Sequence, residues 1–314
     1  MVELAHYQDG PASVAICRDD ADVVFRIDYD DGGRSVVTES RLPVDDFVAK
    51  GEGPWPWYDL GVKRDAVLRA LELLGVTPPA WTRALSADVL DLFARAHRGD
   101  SAVIELLAMG ADPDPVDPCG ASPLWYAVRS LASGIAVALI DAGADAGRRI
   151  ELSPRGEHYT TILHEIVRAG RTVALNHALA NGVDPSLVDS AGATPMHVFG
   201  DNDNVNPEMV RTLVRAGASV HAQLPGGTQP IEVAARRLLP ATAAAMLDAG
   251  ADPGRGLDAL LAWWAVAAEF NGYRAGAVTD LVVLLCAAGA EVSAHHRELA
   301  ATAGVEQVTA ALPH

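Results

Sequence analysis

A short helix-like run closed by Gly-Ala-Asp, or a near relative, returns six times along this chain, and nothing else narrows its possible folds as much. The phrase reads Gly110-Ala111-Asp112, Gly143-Ala144-Asp145, Gly182-Val183-Asp184, Gly217-Ala218-Ser219, Gly250-Ala251-Asp252 and Gly289-Ala290-Glu291. The glycines lie 33, 39, 35, 33 and 39 residues apart. A period in this range, ended each time by a helix-stopping glycine, describes stacked supersecondary units. No single unit of that size buries its own apolar face, so neighbours must build one continuous core.

A second phrase stands upstream of several of these glycines. It reads Ser122-Pro123-Leu124-Trp125-Tyr126-Ala127, Thr161-Ile162-Leu163-His164-Glu165-Ile166, Thr194-Pro195-Met196-His197-Val198-Phe199 and Gln229-Pro230-Ile231-Glu232-Val233-Ala234. These are variants of Thr-Pro-Leu-His-x-Ala, and in step with the glycine series they make residues from about 88 to 292 resemble an ankyrin-repeat domain. The resemblance implies a mainly α fold: a solenoid of about six helix-pair repeats, preceded by a small α+β domain and closed by a helical cap. It also implies a module that holds protein partners and performs no chemistry.

The residues themselves support helix pairs. Pro123, Pro195 and Pro230 sit where a helix begins, a position that tolerates a missing N–H and a fixed φ. Thr194 is placed to cap such a start, and Asn206-Pro207-Glu208 supplies a cap, a first-turn proline and a favourable negative charge to another helix. Val103, Leu106 and Leu107, like Val210, Leu213 and Val214, fall at helical spacing. The first unit, around Leu92-Phe93-Ala94, lacks the Thr-Pro phrase, and so does the sixth, where a helix-like run extends from Leu257 to Glu269. In the third unit Ile162 replaces the proline after a long loop, Arg148 to Tyr159. Glu298 to Leu312 reads as the closing cap. Two domains are therefore expected: 1–80, small and acidic, and 81–314, the repeat domain with degenerate first and last repeats.

The first 80 residues do not follow the repeat. Val23, Phe25, Ile27 and Tyr29 share one face of a strand, Asp30-Asp31-Gly32-Gly33 turns, and Ser35-Val36-Val37-Thr38 continues, which reads as a hairpin or small antiparallel sheet. Leu60 to Leu74 follows as an amphipathic helix with Leu60, Val67, Leu68, Leu71 and Leu74 as its stripe, ended by Thr77-Pro78-Pro79. Between them, Trp55 and Trp57 in Gly53-Pro54-Trp55-Pro56-Trp57-Tyr58 either pack the small domain inward or form an aromatic patch for a partner. Burial decides between the two.

Charge excludes one large class of partner. The chain carries 41 acidic and 24 basic residues, a net charge of −17. Residues 1–60 alone hold 13 acidic and 5 basic side chains. Nucleic-acid binding draws its affinity from cations that neutralise phosphate, so no nucleic acid is expected. The apolar runs Ala259 to Ala268 and Leu281 to Ala290 are half the length of a membrane span of about 20 residues, so no membrane is expected either. The start Met1-Val2-Glu3-Leu4 lacks the basic and apolar stretches of a signal peptide. Cys17, Cys119 and Cys286 are scattered and unpaired in spacing, so the expected location is the reducing cytoplasm.

Candidate chemistry falls away on inspection. In His164-Glu165-Ile166-Val167-Arg168 the second zinc-ligand position is occupied by Arg168, which cannot ligate. Asp201-Asn202-Asp203-Asn204 begins like a calcium loop, but position six is Asn206 and position twelve Thr212. His295-His296 has no matched third ligand, and neither a phosphate loop nor a serine elbow is present. No catalytic residue, metal or cofactor is expected. His164 and His197 are read instead as bonding between neighbouring loops.

The docking surface that the resemblance implies is the concave face, made of loop fingers and the exposed side of each first helix. By position this selects His97 and Arg98, Arg129, Arg168, Asp201 and Asn202, Arg236 and Arg237, with His158 and His221 on the fingers. Most of these positions are cationic, which describes a basic stripe, broken at Asp201, facing an acidic segment of a protein partner. Cations near helix C-termini are also favoured by the helix dipole alone, by about 0.3–1 kcal/mol each. Two further readings stay open: an antitoxin or immunity-type inhibitor whose acidic surface covers a basic protein, and a ligand-binding or enzymatic N-terminal domain carried by the repeats.

Overall fold

The computed structural model describes residues 1–9, 12–30, 35–45, 47, 61–77, 86–117, 120–130, 132–152, 158–271, 275–302 and 306–313. The chain divides into two compact units, Met1–Asp145 with Arg149–Thr160, and Ala146–Arg148 with Thr161–His314.

The first unit opens with an antiparallel meander of four strands, β1 (Val2–Asp9), β2 (Ala12–Asp19), β3 (Asp22–Asp30) and β4 (Ser35–Pro43), in the order β1-β2-β3-β4. The register pairs Val14 with Ile27, Ile16 with Phe25 and Phe25 with Ser40. Alternation puts Tyr7, Val14, Ile16, Val23 and Phe25 into one core with Phe47 and with Ala66, Val67, Ala70 and Leu71 of helix α1 (Gly61–Leu73). Phe25 and Phe47 meet at 5.9 Å between ring centroids, tilted by 56°. Of the expected helix stripe, Val67 and Leu71 are buried, and Leu74 packs against the cluster while partly exposed. Strands β1 and β2 extend the hairpin of β3 and β4, which the sequence announced, into a small antiparallel sheet of four strands.

The same unit continues with helices α2 (Ala87–Arg98) and α3 (Ala102–Ala108), then α4 (Pro123–Arg129) and α5 (Ser133–Asp141), and a short hairpin of β5 (Arg149–Glu151) with β6 (Tyr159–Thr161). Helix α2 begins where the Ser86 hydroxyl accepts the Val89 N–H, and it stops at Gly99 in the left-handed region. Here α2 packs on α4 while α3 packs on α5. First helices thus stack on first helices, and second on second.

The second unit follows the same rule over more repeats. It holds α6 (Ile162–Arg168) and α7 (Thr172–Ala180), a 3-10 turn (Pro195–His197) with α8 (Asn206–Arg215), then α9 (Pro230–Arg236) and α10 (Pro240–Asp248). Helices α11 (Pro253–Asn271), α12 (Ala275–Ala287), α13 (Ala294–Thr302) and α14 (Glu306–Ala311) complete it. One row runs α6, the 3-10 turn, α9, α11, α13; the other runs α7, α8, α10, α12, α14. Ile162, Leu163 and Ile166, then Leu213, Ile231 and Leu260, lie wholly buried between the rows. All six repeat glycines have positive φ, between 83° and 105°, as a helix-ending residue requires.

Three local expectations are revised. The phrase at Thr194 yields one 3-10 turn instead of a full helix, because the chain then passes hard against α6: a Cβ on Gly200 would lie 2.2 Å from the Arg168 carbonyl oxygen. Asn206 is not a cap but the first residue of α8, and its buried amide donates back to the Gly200 carbonyl at 2.9 Å. The closing segment begins at Ala294, before Glu298, and is itself a helix pair, α13 and α14.

Candidate functional site

The histidines of the repeat phrase are spent inside the fold. His164 is fully buried; its Nδ1 lies 2.8 Å from the Thr161 hydroxyl and its Nε2 2.8 Å from the Ala193 carbonyl of the next finger. In His197, Nδ1 accepts the Thr194 N–H at 3.2 Å, so the proton sits on Nε2, which faces the Thr228 carbonyl at 3.4 Å. Both side chains therefore bridge one repeat to the next. Loss of hydration pushes both imidazoles below their ordinary pKa, against a smaller opposing pull from the accepting carbonyls.

Two repeats reach the same end with other residues, and sequence reading missed both. In the fifth, Glu232 takes the histidine's place: its carboxylate accepts the Gln229 N–H at 2.6 Å and holds Arg255 of α11 at 3.0 Å, while Arg255 also donates to the Gly227 carbonyl at 2.5 Å. In the last, Ser293 and His296 repeat the Thr-x-x-His geometry. The Ser293 N–H donates to Nδ1 at 3.2 Å, and Nε2–H donates to Asp258 of α11 at 2.6 Å. The signal was present as Ser-x-x-His without its proline. The fingers too are built alike: Asp117 accepts the Ala121 N–H at 2.9 Å and the Tyr126 hydroxyl at 2.7 Å, and Asp189 accepts the Ala193 N–H at 2.9 Å.

With the histidines inside, the exposed side chains at the ends of the first helices are among those that the repeats offer to solvent. In the first unit, His97, Arg98 and Arg129 are exposed. The His97 ring meets Tyr126 edge-on at 5.9 Å, and Arg129 stacks over the buried Trp125 at 5.3 Å. His158 is exposed on the β5–β6 hairpin, where its carbonyl accepts the Leu152 N–H. In the second unit Arg168, Asp201, Asn202, His221, Arg236 and Arg237 are all exposed.

The cations of the second unit are not equivalent. Arg168 is held by Glu165 at 2.6 Å. Arg237 is bound by Asp201 at 2.5 Å and also donates to the Phe199 carbonyl at 2.5 Å. Asp201 therefore neutralises Arg237 instead of merely interrupting a stripe. Among the described residues Arg236 enters no ion pair. Trp55 and Trp57 lie outside the described residues. The apparent calcium loop serves the fold instead, since Asp203 caps α10 by accepting from Ala241 N–H and Thr242 N–H at 2.6 and 2.8 Å, and from the Thr242 hydroxyl. Among the described residues, no group of three or more His, Cys, Asp or Glu could hold a metal ion. None of the described helices is long and apolar enough to cross a membrane.

Stacked helix pairs, finger loops and phrase histidines reaching the next finger define this chain as an ankyrin-repeat protein. The solved human ASB11 ankyrin repeat domain aligns with 70% of this chain and 95% of that one at a TM-score of 0.53; at 21% identity the likeness speaks for the fold alone. Among curated proteins, the murine B-cell lymphoma 3 protein homolog is 29% identical over 150 residues, covering 48% of this chain and 33% of that protein. The chicken nuclear factor NF-kappa-B p105 subunit is 32% identical over 152 residues, covering 48% of this chain and 15% of that one. The match thus spans a third or less of either relative. No protein-family model matches the chain.

Proposed function

We propose that this protein is a non-catalytic interaction module, an adaptor or regulator, whose repeats 81–314 hold a protein partner on the concave face in the cytoplasm. The acidic residues 1–80, which share a compact unit with the first repeats, add a second contact. The observation that carries this reading is the division of labour within the repeat phrase. His164, His197 and Glu232 are committed to joining repeats, whereas Arg168, Asp201, Asn202, His221 and Arg236 face solvent. Groups that could do chemistry are used as structure, and side chains that differ from repeat to repeat are presented outward, the arrangement that suits recognition. Arg236 is the strongest single candidate contact, since no described neighbour cancels its charge, and it fits an acidic segment of the partner.

The test is affinity capture from host lysate with full-length protein and an 81–314 fragment, followed by titration of the captured protein against Arg236→Glu. Weakening of roughly tenfold or more is expected, because like charges brought together at an interface are costly. Unchanged affinity would remove Arg236 from the interface, and a partner lost with residues 1–80 would move the binding surface to the acidic domain.

A further inference from the structure

We propose that the free edge of the N-terminal sheet, strand β4, pairs antiparallel with β4 of a second copy of this chain. This goes beyond the partner binding proposed above and does not depend on it. Strand β4 is the last in the order β1-β2-β3-β4, so one side of its backbone has no partner strand among the described residues. Where its side chains are described, both faces carry exposed residues: Val37 is 42% exposed, the Arg41 side chain 48%, and Thr38, Glu39 and Ser40 are exposed as well.

Exposed edges invite pairing, and folds usually blunt them with bulges, charged side chains (lysine above all) or mid-strand prolines. The opposite edge is blunted: the β1 register shifts between Glu3 and Ala5. Strand β4 has neither a bulge nor a mid-strand proline, and its two charges, Glu39 and Arg41, are opposite in sign. Its register with β3 runs unbroken from Asp22↔Pro43 to Asp30↔Ser35, it contains no lysine, and its one proline is its final residue.

Charge selects the occupant and the register. Glu39 and Arg41 lie on the same face, opposite Arg26 and Val24 of β3. In an antiparallel pair of two β4 strands, a dyad at Ser40 sets Glu39 of each copy opposite Arg41 of the other, giving two opposite-charge pairs on one face. Centring the dyad on Glu39 or Arg41 instead brings like charges together. A dyad between residues would join the outer face of one sheet to the core face of the other. Only the Ser40 register satisfies charge and face at once, and it is isologous, as a two-fold dimer requires. Arg41 can take part because only its Nη1 is tightly held, by Asp19 at 2.8 Å, while Nη2 lies 3.6 Å from its own Glu39.

Sedimentation of the full chain over rising concentration, joined to cysteine placement, tests this. The expected result is a shift from the 32.9 kDa monomer toward twice that mass. In a background with Cys119 and Cys286 changed to serine, Ser40→Cys should form a disulfide-linked dimer under mild oxidation, because opposed residues stand within disulfide reach. Thr38→Cys should not, since it faces Leu42 of the other copy. Glu39→Arg should weaken association tenfold or more. A chain that stays monomeric at the highest concentration overturns the proposal and leaves the edge to a strand from another protein. Equal cross-linking from positions 38 and 40, or a dimer that Ser40→Cys fails to link, overturns it too.

Discussion

Asp203 caps a helix that begins almost forty residues away: its carboxylate accepts the backbone N–H of Thr242 at 2.8 Å and that residue's hydroxyl as well. Thr242 is wholly buried in the first turn of α10, so the donors it offers have no water to fall back on. Asp203→Ala should therefore cost about 1–3 kcal/mol, the range for leaving buried donors unsatisfied. Urea denaturation monitored by circular dichroism measures it, with Asp203→Asn retaining part of the loss. A change below about 0.3 kcal/mol would mean that the cap is replaced by solvent.

Gly200 tests steric fit without backbone strain, because its φ is not in the left-handed region. An added Cβ meets a main-chain oxygen at 2.2 Å, and main chain cannot rotate aside. Gly200→Ala should destabilise by roughly 1–3 kcal/mol or more, as overpacking does. Gly134→Ala, where a Cβ meets nothing within 4 Å inside α5, should instead stabilise by a few tenths to about 1 kcal/mol. Paired melting curves decide the matter by sign.

Stability should depend on pH through His164 and His197. Both have folded pKa values below the ordinary one because burial penalises the imidazolium. Between the folded and unfolded values the unfolded chain binds more protons, so stability is complete above about pH 6.5 and is lost as pH falls through that window. The slope is at most about 1.4 kcal/mol per pH unit for each histidine. Geometry agrees, since a proton on His197 Nδ1 would oppose the Thr194 N–H that now donates to it. Denaturation midpoints measured from pH 7.5 to 5 should fall, and His164→Gln with His197→Gln should flatten that dependence while lowering stability throughout.

Arg236 and Arg237 are neighbours with different roles. Arg236→Ala should leave the unfolding free energy within about 0.5 kcal/mol, as for an exposed side chain away from special features. Arg237→Ala should cost about 1 kcal/mol or more, because the Phe199 carbonyl loses a charged donor and Asp201 its partner. Equal costs for the two would undo this distinction.

The repeats were legible because their signals are local. A proline at a first turn, as in Pro123, Pro195 and Pro230, and glycines such as Gly217 and Gly250 each carry a backbone preference readable without any neighbour. The degenerate last repeat was not legible, because Ser293 and His296 lack that proline and their partner, Asp258, lies in α11. Strand β1 escaped for a related reason. Its apolar residues, such as Leu4 and Tyr7, do not alternate cleanly, because a bulge between Glu3 and Ala5 shifts their register.

The candidate site divides along the same line. That Arg168, Arg236 and Arg237 would all be exposed at helix ends follows from their place in the phrase. Which of them keeps a free charge does not, since Glu165 lies three residues from Arg168 but Asp201 reaches Arg237 across 36 residues.

By itself, then, the sequence determined the spacing of the repeats, most of their helix starts and stops, and the apolar rows, since each depends on preferences expressed within a few residues. Only the tertiary structure decided what joins one repeat to the next: Asp203 to Thr242, Glu232 to Arg255, His296 to Asp258. Those bonds depend on how far apart stacking holds the helices and on the reach of each side chain, and neither distance is written in the order of residues along the chain.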